Sequence, residues 1–238
     1  MATTKRKPRG KNEQGNDFLE NPEVISNQLG KTEEFLSKNK KMVFGIGGLI
    51  AIIIAAIFIY RFTMETKNAE AQQEMFQAIF YFENGNLENA LNGDGNALGF
   101  LDILDDYSGT DAANLASFYA GSIYLQQREF QSALDMLQDF SSDDFLVSGR
   151  KHVLIGDAYM ELGNFADAAA AYQKGASTHP NKHFSPQYLM KAALAFENAG
   201  DTTKAISTYD EVINKYPESL EITNARKFKA RLEALAAN

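Results

Sequence analysis

Residues 156–180 read GDAYMELGNFADAAAAYQKGASTHP, and the spacing of Gly156, Tyr159, Gly163, Phe165, Ala168, Tyr172 and Pro180 decides the fold. Small and aromatic residues fall at the offsets that two antiparallel helices need for close packing. Working outward, the spacing recurs downstream as Ala193, Phe196, Gly200, Ala205, Tyr209 and Pro217. Upstream it recurs more weakly as Gly121, Tyr124, Phe130 and Ala133. A small side chain at 121, 156 or 193 admits the partner helix, and Ala133, Ala168 and Ala205 do the same from the other side. Tyr124, Tyr159 and Phe196 fill the space between. Gly163 and Gly200 follow helical runs and suit the left-handed residue that ends a helix. Pro180 and Pro217 stand where the second helix must stop.

The pattern resembles the tetratricopeptide repeat, a helix-turn-helix unit with a period of about 34 residues. The resemblance implies an all-α helical-hairpin solenoid that binds proteins. Three units are expected over 114–218, starting near Asn114, Gly149 and Pro186, with a loop insertion around Asn181 to Ser185. Over 63–113, Ala78, Tyr81, Gly85, Leu87 and Ala90 open a degenerate first unit near Ala71. The turn-rich Asn92-Gly93-Asp94-Gly95-Asn96 interrupts it, and an apolar helix follows from about Ala97 to Tyr107. Residues 219–238 form a capping helix with Ser219 at its N-terminus and Leu220, Phe228, Leu232 and Leu235 to bury.

Met42 to Tyr60 reads MVFGIGGLIAIIIAAIFIY, without a charge. At 1.5 Å per residue it covers about 29 Å, against a hydrocarbon core of about 30 Å. A cleaved signal peptide fits less well. The run is long for one, begins far from the N-terminus, and no small-residue cleavage site precedes Arg61. We expect an uncleaved single-pass signal anchor over 42–62. Nine basic residues precede it (Lys5, Arg6, Lys7, Arg9, Lys11, Lys31, Lys38, Lys40 and Lys41), and only Arg61 and Lys67 closely follow. The positive-inside rule then places the N-terminus in the cytoplasm and the repeats on the far side, the periplasm in a Gram-negative bacterial inner membrane. Gly47, Ala51 and Ala55 recur every fourth residue, a spacing that lets membrane helices approach, though ordinary glycine and alanine content produces it too.

Charge separates the parts. Residues 1–41 sum to +3 and residues 62–238 to −12 within a net −8. An acidic domain repels phosphate and argues against nucleic acid. Residues 1–17 are polar, basic and expected to be disordered. Residues 18–41 read as cytoplasmic juxtamembrane helices, with Thr32 capping Glu33 to Lys41. The apolar residues Phe18, Leu19, Val24, Ile25, Leu29, Phe35 and Leu36 either lie on the inner leaflet or touch a partner there.

Catalytic chemistry finds little support. There are no cysteines and three histidines, His152, His179 and His183. His179 and His183 are four apart, but Pro180 argues against a helix and no third ligand assists. Asn92 to Asn96 lacks the closing glutamate of a calcium loop. We expect no catalytic residue, no cofactor and no metal, hence no enzyme.

The tetratricopeptide resemblance implies a concave protein-binding face. In this register the degenerate unit contributes Met75, Ile79 and Phe82. The next contributes Leu115, Phe118, Ser122, Leu125 and Gln126. Arg150, Val153, Asp157, Met160 and Glu161 follow, then Gln187, Met190, Leu194, Glu197 and Asn198. The face is largely apolar and includes methionines, which suit varied apolar segments. Either it is open, or neighbouring helices fill it. Only Arg150 and Asn198 suit a terminal carboxylate, which disfavours that mode.

From about residue 20 onward, the order of short tail, single anchor and degenerate repeats resembles the ancillary subunit of the bacterial Sec translocon. Glu20-Asn21-Pro22-Glu23 and Thr32-Glu33-Glu34-Phe35 resemble segments before the anchor in Bacteroidetes-type members. The resemblance implies a membrane adaptor or chaperone-like subunit whose partners are translocon subunits, a periplasmic chaperone or unfolded client chains. The alternative is a scaffold for another envelope complex, in cell division or secretion.

Overall fold

The computed structural model describes residues 35–237, so the expectations for 1–34, Thr32 among them, lie outside the described residues. The chain divides between Phe62 and Thr63 into two units, each taken by itself. The long helix α1 (Lys40–Glu83) contributes to both.

In the first unit, large apolar side chains from Met42 to Phe62 are exposed on every side of α1. Among the described residues, α1 is long and apolar enough to cross a membrane by length and composition, and none of its most apolar window is buried.

The second unit is all-α, as the spacing predicts. After α1 come α2 (Leu87–Asn92), α3 (Phe100–Asp106), α4 (Asp111–Gln127), α5 (Phe130–Asp139), α6 (Val147–Glu161), α7 (Phe165–Thr178), α8 (Ser185–Asn198), α9 (Thr202–Lys215) and α10 (Ile222–Ala236). Neighbours in sequence pack as neighbours in space: α4 on α5, α6 on α7, α8 on α9, with α7 against α8 and α9 against α10.

One turn is built four times. Backbone N–H groups of Asn86, Glu129, Asn164 and Asp201 donate to the carbonyls of Tyr81, Tyr124, Tyr159 and Phe196 at 2.8–2.9 Å. The residue before each donor is left-handed: Gly85, Arg128, Gly163 and Gly200, with φ between 67° and 77°. This is a Schellman ending, in which a left-handed residue returns the chain to satisfy the last helical carbonyls. The residues 63–83 of α1 therefore end in the same hairpin turn as the later units. Arg128 holds it without glycine, which explains the weaker sequence match there.

Close approach accounts for the small residues. A Cβ on Gly156 would lie 2.6 Å from Tyr172 Cε1, and one on Gly121 would lie 2.6 Å from Leu137 Cγ. Ala133, Ala168, Ala193 and Ala205 are fully buried. In the stretch expected to form a degenerate unit, Ala71, Met75 and Ala78 of α1 pack with Ala90, Phe100 and Ile103. Asp94 organises the interrupting turn: it accepts from the backbone N–H groups of Asn96 and Ala97 and from the Tyr81 hydroxyl.

The C-terminal helix differs from expectation. Glu221, not Ser219, occupies the position before α10, and the buried Ser219 hydroxyl has no hydrogen-bond partner. Leu220 lies outside the helix at 92% exposure, and Leu235 is exposed too. Leu232 is buried, and Phe228 packs beside Tyr209 with ring centroids 5.9 Å apart. Lys229 reaches Asp210 at 2.6 Å. The helix lies on α9 through its 225–232 stretch.

Candidate functional site: the groove of the helical stack

The first helices of successive units turn one face to a cavity of about 850 Å³. It brings together many residues expected there: Phe82 from α1; Phe118, Ser122, Leu125 and Gln126 from α4; Arg150, Asp157, Met160 and Glu161 from α6; and Leu194 from α8. A pocket of this size, mostly apolar with a few convergent polar groups, matches the general character of binding sites.

Other expected residues sit elsewhere. Met75 and Val153 are buried between helices. Ile79, Leu115 and Met190 are part-buried against the core. Gln187 lines a second cavity beside the loops. Asn198 is placed in the last turn of α8, outside the groove lining. Glu197 accepts from the Tyr209 hydroxyl at 2.7 Å and from Arg231. The physical reason is helical phase. At 3.6 residues per turn, one residue of register moves a side chain about 100° around the axis. Leu154 and Lys191 therefore reach the groove where their neighbours Val153 and Met190 do not.

The cavity also holds Arg128, Phe130 and Tyr172, which the sequence reading missed. Tyr172 belongs to a second helix, where the expected pattern looks for core. Its hydroxyl was the available signal, because a buried tyrosine needs a partner for its tip.

That partner organises the centre of the groove. Asp157 Oδ1 accepts from the Tyr172 hydroxyl and from Lys191 Nζ, each at 2.6 Å. Lys191 Nζ also stands 5.4 Å from the Tyr172 ring centroid. Burial, reinforced by the Asp157 carboxylate, pushes the Tyr172 phenol pKa far up, so the hydroxyl stays a donor. The next unit repeats the device: Glu197 takes the Tyr209 hydroxyl and Arg231 of α10, and burial again raises the phenol pKa first. Each carboxylate ties its own hairpin to the next first helix. Arg128 and Glu161, 3.8 Å apart and exposed, add little.

The histidines do not converge. The His179 ring lies 5.5 Å from that of Phe145 in the loops. Burial first, then Lys174 and Lys151, lowers His152 to about 4. Among the described residues no group of three or more His, Cys, Asp or Glu is placed to hold a metal.

A model of the tetratricopeptide repeat family matches residues 153–219, from α6 through α9. No curated protein matches the chain. Repeats of this family suggest protein–protein interaction and are typically non-catalytic. The chain contains tetratricopeptide repeats at 153–219 and, among the described residues, one long apolar helix.

Proposed function

We propose that the chain is a single-pass membrane adaptor whose groove holds apolar segments of partner proteins on the far side of the membrane from its N-terminus. The observation that carries the reading is the floor of the groove, where Phe118, Leu125, Phe130, Met160 and Leu194 line one cavity. Its walls are tied together at Asp157, which would reduce the ordering needed on binding. The apolar run of α1 supports the anchor, and the excess of Lys and Arg before it supports the orientation. The more specific reading is an ancillary subunit of the Sec translocon that keeps emerging chains or a periplasmic chaperone close by, and it rests on the order of tail, anchor and repeats.

Photo-crosslinkers at Phe118 and Met160 in the anchored protein should capture client or chaperone chains. No capture at either site, with the anchor intact, would remove the groove from the function. Purification in mild detergent should co-recover translocon subunits, and their loss on deleting 42–62 would tie them to the anchor. Recovery of a different envelope complex would instead make the chain a scaffold for it. The every-fourth-residue spacing of Gly47, Ala51 and Ala55 is what that second reading rests on. Replacing Gly47 and Ala51 by Leu should then release the partner while groove substitutions leave it bound.

A further inference from the structure

The edge of the second unit where each second helix hands over to the next first helix can be followed contact by contact. The Met64 side chain, near the unit's first residue, approaches Gly109 in the α3–α4 loop. Asn68 Oδ1 accepts from the N–H of Ala112 at the start of α4, at 2.9 Å. Asn114, one turn on, clasps Ser141 of the α5–α6 loop through both backbone groups, at 2.7 and 2.8 Å. Phe145 of that loop lies against His179 of the α7–α8 loop. Phe184 closes the α7–α8 loop and shares a cavity of about 720 Å³ with Leu220 of the α9–α10 loop. The links join helix-connecting loops to one another, to the start of α4 and to the part of α1 that opens the second unit, so these loops share one edge, opposite the four Schellman turns.

That edge carries large apolar side chains in solvent: Phe145 at 50%, Leu146 at 55%, Phe184 at 40% and Leu220 at 92% exposure. Loop positions normally hold turn formers such as Gly, Asn, Asp, Ser and Pro. Leu220 does nothing for the core, and clustered exposed apolar groups mark an interaction surface.

We propose that this edge is a lipid-contact surface, with Phe145, Leu146, Phe184 and Leu220 seated in the headgroup layer of a bilayer. Covalent connection names the occupant. The chain enters the second unit on this edge, at Thr63, directly after the apolar run that ends at Tyr60. Covalent attachment to an anchor keeps a lipid surface at high effective concentration for the second unit, so four modest apolar contacts suffice. The charges select a zwitterionic surface. Lys182 and Lys215 at the second cavity are offset by Glu218 and Glu221, and Asp144 adjoins Phe145. The attraction is therefore apolar and independent of salt.

The inference rests on the anchor reading, and the test separates the two. The chain has no cysteine, so single labels are unique. Full-length protein in phosphatidylcholine nanodiscs containing lipid spin-labelled at the headgroup end in one preparation and at the chain end in another, the latter reading the mid-span site, would carry a fluorophore at Ile53→Cys, Lys182→Cys, Glu218→Cys or Asn164→Cys. Labels at 182 and 218 should be quenched at least about two-fold more than the label at 164 on the opposite edge, as shallow interfacial insertion requires. The quenching should persist in high salt. Leu220→Glu, at an exposed position, should abolish it at 218. Quenching at 53 with none at 182 and 218 would overturn the proposal and leave the anchor standing. No quenching at 53 would remove both. Labels at 182 and 218 shielded from an aqueous quencher but not reached by lipid spins would assign the edge to a second copy of the chain and overturn the lipid proposal.

Discussion

Gly156→Ala tests how closely the two helices of a repeat approach. In an open helix the change stabilises by about 0.5–1 kcal/mol, because glycine loses more backbone freedom on folding. Here the new Cβ meets three atoms of the Tyr172 ring at 2.6, 2.7 and 3.0 Å. Ordinary carbon contacts lie near 3.5–4.0 Å, so the ring must retreat by about 1 Å. That retreat is opposed, because Tyr172 is buried and its hydroxyl is held by Asp157. Overpacking of this kind costs about 1–3 kcal/mol, so the net effect is a destabilisation of about 1 kcal/mol. In a Tyr172→Ala background the obstacle is gone, and the same change should stabilise by about 0.5–1 kcal/mol. The coupling energy of the cycle is then about 2 kcal/mol. Urea unfolding of the four proteins in one detergent, followed by circular dichroism, measures it. The same effect of Gly156→Ala in both backgrounds, or stabilisation of the parent, would refute the close approach.

Two other outcomes follow from single positions. Arg128 is left-handed without being glycine, which costs a non-glycine residue about 1 kcal/mol, and its exposed pair with Glu161 contributes less than that. Arg128→Gly should therefore raise stability by about 0.5 kcal/mol, a melting shift of one or two degrees; a lower melting temperature would contradict the turn geometry. His152 is held down to about 4 by burial and by Lys174 and Lys151, so the folded state binds fewer protons than the unfolded state between about pH 6.5 and 4. Its contribution is present above about pH 6.5 and is lost as pH falls through that window, by about 1 kcal/mol once solvent screening of a partly buried ring is allowed for. Melting curves of the parent and His152→Gln across that range should diverge toward acid, and parallel curves would sink the assignment.

The hairpins were legible because close helix packing demands small residues at fixed offsets, and Gly121, Gly156, Ala133 and Ala168 stand at those offsets with no room for larger ones. Gly163 and Gly200 marked their turns for an equally local reason, the left-handed backbone. Arg128 hid the equivalent turn, since the hydrogen bond from Glu129 to the Tyr124 carbonyl forms without a glycine to advertise it. Ser219 misled in the other direction: a good cap residue by type, it lies two positions before the helix edge that packing sets at Glu221.

The groove was legible only to within one residue of helical phase. Val153 and Leu154 are both apolar and both buried, so nothing in their chemistry says which also lines the groove, and the packing of α6 decides that it is Leu154. Lys191 lies one whole repeat from Asp157, and Arg231 one from Glu197, so neither pairing shows in local sequence. By itself the sequence determined the all-α repeat architecture and the long apolar helix, because periodicity, hairpin offsets and hydropathy act within a few turns of chain. Only the tertiary structure decided the groove lining, the carboxylate ties between repeats and the apolar loop edge, because these depend on helix rotations and on contacts that reach into the neighbouring repeat, where no short-range pattern carries the information.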